Sequence, residues 1–411
     1  MAAAERTART RGRIAQAVIT VLAKQGMSRL THRAVAKAAN VPLAATTYHY
    51  ATKADMLADA SQRLLDGYLA AFHRAAERLR TGTGRKERLS SFIARLVANA
   101  AGRDRSASMA WCEIILDAAR SRSGRRLART WFKGLIAAWH ELAAAMGEPA
   151  DPSSVLTAID LVIGLLFMVL PLGLSPEAVE EVLRDGDDPV KAWRLGPAPT
   201  SRRKSARGST DKAKATRARI LESAIKLLVE QGAGAVTYRG VAEAGGLAVT
   251  APAYYFNSIA EVLQAAEAEL FRASKDRYRM MLSAAGPGTE SLDGLADLTS
   301  AIFIREATEY GPSAVALYST WLEAERNRRL RAEVAAAIYD QAKAWQRKLD
   351  ALRDTGAFDG IRIQAIYIGK LVRAVSSGVP VEQLAMARQE FHQEIAPAAV
   401  RRRLYKNSKK D

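Results

Sequence analysis

The sequence predicts an all-α protein built from two copies of one helical unit. Apolar residues recur at three- and four-residue spacing along most of the chain, and no stretch alternates in the way a half-buried strand would. Shifting the chain by 206 residues lays it over itself without gaps, so that 17 of the 50 positions in residues 11–60 are identical to their counterparts. A length of 411 residues exceeds one compact core and suits two or more domains.

In the first helix Ile14, Ala17, Val18, Val21 and Leu22 form one apolar stripe. Ile220, Ala224, Ile225, Leu228 and Val229 repeat it in the second copy. Gly26 and Gly232 fall where a helix end takes a left-handed residue. Thr31 and Thr237 then sit at N-cap positions of short second helices, THRAVAKAA at 31–39 and TYRGVAEAG at 237–245. A tight turn follows at Asn40-Val41 or Gly246-Leu247. The next short helix ends in an aromatic cluster, Tyr48-His49-Tyr50 or Tyr254-Tyr255-Phe256. Pro42 suits a first helical position, whereas Pro252 forces the second copy's helix to start late, with Thr250 as cap. Small residues Ala36 and Ala39, with Ala242 and Gly245 in the second copy, permit two helices to cross closely as a helix-turn-helix.

Beyond the heads the repeat continues, pairing Leu116 with Leu322, Arg120 with Arg326 and Trp139 with Trp345. A shift of 205 then pairs Ile163-Gly164 with Ile368-Gly369 and Gly173 with Gly378, so one loop residue is missing from the second copy. The longest apolar run, Leu161–Leu174, holds 14 residues and falls short of the roughly 20 a membrane span needs. It is expected to be a buried interface helix near 155–172, packed on its counterpart near 361–377. Lys370 and Arg373 lie on that counterpart, so the two faces are unlike and favour pairing half one with half two. The expected organisation is a head at 1–60, a larger helical domain at 61–195, a basic Pro/Gly/Ser-rich linker at 196–216, a second head at 217–266, a second helical domain at 267–400 and a basic tail at 401–411.

Net charge is +18 and unevenly placed. Residues 1–196 carry +9, residues 197–216 carry +5, residues 217–400 carry −1 and the tail carries +5. The excess points to a polyanionic partner, and its distribution makes the first head (+6 over residues 1–60) a stronger electrostatic anchor than the second (+1 over residues 211–266). One cysteine, Cys112, excludes an internal disulfide and fits a reducing cytoplasm; in an apolar stretch it reads as a small buried residue. The N-terminus has no apolar core of a signal peptide, so the expected location is cytoplasmic.

The pattern G-x(4)-T-x-R-x-V-A-x-A-x-x-V followed by T-Y-H-Y-x-T-K-x-x-M-L, from Ile14 through Leu57, resembles the TetR family of bacterial transcriptional regulators. It recurs from Ile220 through Leu263, ending A-Y-Y-F-N-S-I-A-E-V-L. WCEIILDAAR at 111–120 and LYSTWLEAER at 317–326 resemble the family's ligand-binding and dimerisation domain more weakly. The resemblance implies two TetR-like units, each a three-helix head plus a larger helical domain, arranged as an intramolecular pseudo-dimer; a homodimer of chains is the alternative assembly. It implies that the second short helix enters the major groove of double-stranded DNA. Leu43, Ala45, Thr46 and Thr47 would face bases, Tyr48, His49 and Lys53 would meet phosphates, and Thr31 and Arg33 would meet the backbone or groove edge. Thr237, Arg239, Val249, Thr250, Tyr254 and Tyr255 are the second head's counterparts, with Ile259 where the first has Lys53. Tyr50 and Phe256 read as packing residues. Arg6, Arg9, Arg11 and Arg13, placed before the first helix, could follow the minor groove or phosphates.

A small apolar effector is the other expected partner. Its candidate contacts are Trp111, Trp131, Trp139, Phe167 and Met168 in the first half, and Tyr318, Trp321, Trp345 and Tyr367 in the second. Glu113 reads as a surface carboxylate. No cofactor or metal is expected: His32, His49, His73, His140 and His392 are scattered, and no phosphate loop, nucleophile elbow or paired-carboxylate motif stands out, which argues against an enzyme. The repressor reading, with a non-palindromic operator, stands beside the alternative of a ligand- or partner-binding protein with weakened DNA binding.

Overall fold

The computed structural model describes residues 2–84, 87–197, 210–284, 290–352 and 356–396. Most of the expected linker, residues 397–400 at the end of the second helical domain, and the tail at 401–411 lie outside the described residues. Every regular element among the described residues is helical. The first half runs α1 (Ala2–Gln25), α2 (His32–Ala39), α3 (Leu43–His49), α4 (Lys53–Arg80), α5 (Leu89–Ala101), α6 (Arg105–Ala118), α7 (Arg122–Met146), α8 (Pro152–Leu172), α9 (Pro176–Leu183) and α10 (Pro189–Ala192). The second half runs α11 (Asp211–Gln231), α12 (Tyr238–Gly245), α13 (Ala251–Tyr255), α14 (Ile259–Ala284), α15 (Leu292–Thr308), α16 (Gly311–Glu323), α17 (Arg328–Leu352), α18 (Asp359–Ser377), α19 (Val381–Leu384) and α20 (Ala387–Ile395).

The caps follow from the residues expected to make them. Thr31 accepts a hydrogen bond from the Ala34 amide at 3.1 Å, and Thr237 from the Gly240 amide at 3.0 Å. Asn40 and Gly246 end α2 and α12 in the left-handed conformation. Gly26 and Gly232 also have positive φ (78° and 87°), but their ψ values of 173° and 175° are extended rather than the expected left-handed helix end. That region is open to glycine alone. The Thr52 hydroxyl and the Asp55 carboxylate form a reciprocal capping box that starts α4. Both α4 and α14 run unbroken from head to body, through residues 60 and 266.

The apolar run lies in a 21-residue helix, α8, which is long and apolar enough to cross a membrane by length and composition. Its side chains are instead buried in the protein, chiefly against α18. The contact is reciprocal, as expected of a repeat. A Cβ on Gly164 would lie 1.7 Å from the Ala365 carbonyl oxygen, and one on Gly369 would lie 1.8 Å from that of Asp160. In the 205-residue register Gly164 corresponds to Gly369 and Asp160 to Ala365, so each glycine admits the other helix's backbone at the equivalent place. The charges break that equivalence. Asp160, fully buried, takes two hydrogen bonds from Arg373 at 2.7 and 2.8 Å. Lys370, 3% exposed, meets Glu390, Glu394 and Asp160 at 2.6, 3.0 and 3.8 Å. Burial is the largest single influence and acts against a charged Arg373, but Asp160, Glu390 and Glu394 together raise the guanidinium above its ordinary value.

Candidate nucleic-acid interface and effector pocket

The first head packs around Ile14, Val18, Val21, Leu22, Val35 and Met56, all fully buried. α3 is presented on this core with its outer face free. Tyr48 is 84% exposed, Leu43 is 45% exposed, Thr47 is exposed, and Ala45 and His49 are half-buried. Thr31 and Arg33 lie exposed at the start of α2. The corresponding face of the second head exposes Val249, Thr250, Tyr254 (84%), Thr237 and Arg239, with Tyr255 half-buried. Tyr50 and Phe256 are buried packing residues, each covered by an arginine, Arg11 at 5.2 Å and Arg217 at 4.1 Å from the ring centre.

Several expected roles change. Thr46 is fully buried; its hydroxyl donates to the Leu43 carbonyl and meets His32 Nδ1 at 3.2 Å, so it cannot read a base edge. Its counterpart Pro252 is buried too, which is why a proline is tolerated there, and α13 starts after Thr250 as expected, although without a side-chain cap bond. Pro42 is the cap residue before α3 rather than its first turn. Lys53 opens α4 as expected and is exposed, but its ammonium donates to the Met27 carbonyl at 3.2 Å. Arg6, Arg9, Arg11 and Arg13 lie inside α1, because the Ala- and Arg-rich start of the chain continues the helix. Arg13 caps α2 through the Ala39 and Asn40 carbonyls at 2.7 and 2.8 Å, and Arg11 pairs with Asp59 at 3.5 Å. Both are spoken for within the head.

The heads differ in their charged edges. Arg33 has Lys37 one turn on, whereas Arg239 faces Glu243 at that place and is paired to it at 2.7 Å. An anion approaching Arg239 must compete with a carboxylate that α2 does not carry.

Two arginines not assigned to the interface hold the heads to the bodies. Arg326 donates to the Ala23 carbonyl at the end of α1 (3.0 Å), and Arg120 donates to the Val229 carbonyl at the end of α11 (2.9 Å). Each comes from the opposite half. The signal was present in the repeat, which aligns Arg120 with Arg326 and Ala23 with Val229, but which half each would reach was not legible. Glu113 belongs to the same clamp. Far from being a surface carboxylate, it is 7% exposed, accepts from the Met27 amide at 3.2 Å and pairs with Arg326 at 2.8 Å. Burial pushes its carboxyl up to about 7, against the pull of Arg326.

In the first body Trp111, Trp131 and Trp139 come together as expected, with Tyr68 and Phe72, around a cavity of about 70 Å³. Trp131 Nε1 donates to Ser61 at 2.7 Å, while Trp111 Nε1 is buried without a partner. Phe167 and Met168 are fully buried but do not line that cavity; Phe167 packs on Tyr318 of the other half, ring centres 5.8 Å apart. Tyr318, Trp321 and Tyr367 are buried in packed rings, with Tyr367 meeting the Tyr278 hydroxyl at 3.3 Å, and Trp345 is half-buried. Cys112 is fully buried, and burial pushes its thiol well up, so it carries no reactive thiolate.

Residues 84–186 match the family model described as the tetracyclin repressor-like C-terminal domain. A solved structure of a TetR family member, SCO1917 from Streptomyces coelicolor A3, is 32% identical over 43% of this chain and 96% of its own, with a TM-score of 0.32. The chain belongs to the TetR family. The multidrug binding protein EbrR, solved with imidazole, is also 32% identical, over 47% of this chain and 97% of its own, with a TM-score of 0.29. EbrR solved with ethidium is 31% identical over 45% of this chain and 95% of its own, with a TM-score of 0.30. No curated protein matches the chain.

Proposed function

We propose that this TetR family chain is a cytoplasmic, non-enzymatic transcriptional repressor in which two TetR-like units are fused and act together as an intramolecular pair on one DNA site. The observation that carries the reading is the pair of exposed aromatic helix ends, Tyr48 and Tyr254. They are 84% exposed at repeat-equivalent positions, and nothing in the fold uses either ring as core. Large exposed aromatics on a short helix cost the folded chain solubility and suit a surface that is covered on binding. Thr31, Arg33, Lys37 and Lys53 add one cap and three cations to the exposed surface of the first head, which suits phosphate contact. The apolar cavity at Trp111, Trp131 and Trp139 supports a flat, apolar effector. Movement of α6 or α7 around that cavity would reach the first head through α4 and through Glu113.

The Arg239–Glu243 pair supports a second, graded reading, in which the second head grips DNA more weakly than the first. Fluorescence anisotropy with operator DNA taken from beside the gene tests the proposal. Specific binding should weaken by orders of magnitude between about 50 and 200 mM salt as phosphate counterions are released. Affinity that is independent of salt and indifferent to sequence would refute it.

A further inference from the structure

A second cavity, of about 180 Å³, lies where both heads meet both bodies. Its wall takes Met27 and Lys53 from the first head, Gly232 to Ala235 from the second, Asp117 from α6 and Arg120 just after it, Glu267 from α14, and Thr320 and Glu323 from α16. We propose that this cavity is a ligand site distinct from the tryptophan-lined pocket, and that it takes a small organic cation, an alkylammonium or alkylguanidinium, on the carboxylate of Glu267.

Of the carboxylates around the cavity, Glu267 is the one on which no opposite charge acts. Glu113 and Glu323 share Arg326, at 2.8 Å each. Asp117 lies under the influence of Lys53 and Arg120. Those two cations are themselves engaged, Lys53 by the Met27 carbonyl and Arg120 by the Val229 carbonyl. Glu267 is 7% exposed, and among the described residues no hydrogen bond or ion pair reaches it. Its charged neighbours are Glu323 and Glu333, both negative; burial first and then these two push its carboxyl up to about 7. A buried carboxylate without a counter-ion is costly, and an entering cation would remove that cost.

The repeat shows how the vacancy arose. Ser61 stands at the position of Glu267, and its hydroxyl is taken by Trp131. In the second half Trp131 is replaced by Ala337. A large donor has been exchanged for a methyl group while the acceptor has become an acid, so the second half holds an acceptor with no donor. A second orphan lies in the same wall. Thr320, 2% exposed, has a hydroxyl with no partner, and it suits acceptance from an N–H group. Among the described residues no set of three or more His, Cys, Asp or Glu side chains is arranged to hold a metal ion. The volume exceeds that of a bare ion, with room for on the order of six waters. Leu228, Ala233 and Ala235 offer apolar wall for a short methylene stem.

Because the cavity touches Met27 of one head and Gly232 to Ala235 of the other, an occupant would fix the spacing of the two heads. The site stands whether or not the heads bind DNA, and its test does not use DNA. Calorimetry on the full chain at about pH 8, where the Glu267 carboxyl is ionised, would compare 1,4-diaminobutane and butylguanidinium with the neutral 1,4-butanediol. The cations should bind and the diol should not. Glu267→Gln keeps the shape and should weaken cation binding by about tenfold or more, and Thr320→Val should weaken it by a smaller factor of about three. Equal behaviour of diamine and diol, or unchanged diamine affinity in a folded Glu267→Gln variant, would overturn the proposal.

Discussion

Replacing Asp160 tests how the two halves recognise each other. Asp160 is fully buried on α8 and holds Arg373 of α18 through two short hydrogen bonds. Asp160→Ala would leave that guanidinium, 17% exposed in its side chain, with no carboxylate in contact. Removing one partner of a buried pair costs about 3–5 kcal/mol. Arg373→Met should cost less, at the lower end of that range, because Asp160 keeps Lys370 at 3.8 Å. The combination Asp160→Ala with Arg373→Met copies the repeat-equivalent contact, where Ala365 and Met168 stand at those positions. Replacing a buried ion pair by packed apolar groups is about neutral, so the double variant should lie within about 1–2 kcal/mol of the parent. The coupling energy is then at least about 4 kcal/mol. Urea unfolding followed by tryptophan fluorescence reads it directly. With a slope of about 3 kcal/mol per molar or more, Asp160→Ala should lower the midpoint by roughly 1 M. Single losses below about 0.5 kcal/mol, or a double variant as damaged as the sum of its parts, would refute the reasoning.

Gly369→Ala should disrupt folding outright, because its Cβ would sit 1.8 Å from the Asp160 carbonyl oxygen and neither backbone can retreat; circular dichroism on heating checks it, and an unchanged melting curve contradicts it. The Glu267 carboxyl is raised to about 7, so the folded state holds its proton more tightly than the unfolded state does. Stability from this group is therefore full below the unfolded value of about 4.5 and falls as pH rises towards 7, by on the order of 3 kcal/mol; Glu267→Gln should flatten that decline in urea midpoints measured across the window. Glu243→Lys frees Arg239 and gives the second head the charge pattern of the first, so it should tighten DNA binding and steepen its salt dependence, whereas Lys37→Glu should do the reverse.

The heads and the α8–α18 pairing were legible because a repeat fixes register: once Ile163-Gly164 aligns with Ile368-Gly369, the two apolar helices are each other's natural partner. The caps at Thr31 and Thr237 were legible for the same local reason that makes them work. What failed was whatever depended on which way a side chain turns or which half it meets. Thr46 sits in a helix of seven residues, too short for periodicity to separate its buried face from its reading face. The arginines of α1 were assigned to an arm because basic residues near a chain start suggest one, yet Ala and Arg are good helix formers and simply extend the helix. Glu113 read as surface because the partner that buries it, Arg326, lies 213 residues away. The cavity at Glu267 is made by five helices of two halves, α4, α6, α11, α14 and α16, so no local pattern announces it.

The central claim is that one chain reads one DNA site with two unlike heads. Leu43 and Thr47 on α3 face Val249 and Ala253 at the equivalent places of the second head, and Arg33 is free of the carboxylate that holds Arg239. Selection from a random DNA library with the full chain, followed by footprinting, is the most direct test. One chain should occupy each site, with two different half-sites about 34 Å apart, or a multiple of that, and Tyr48→Ala should cost more affinity than Tyr254→Ala. A palindromic site occupied by two chains, with equal losses from the two tyrosine variants, would contradict it.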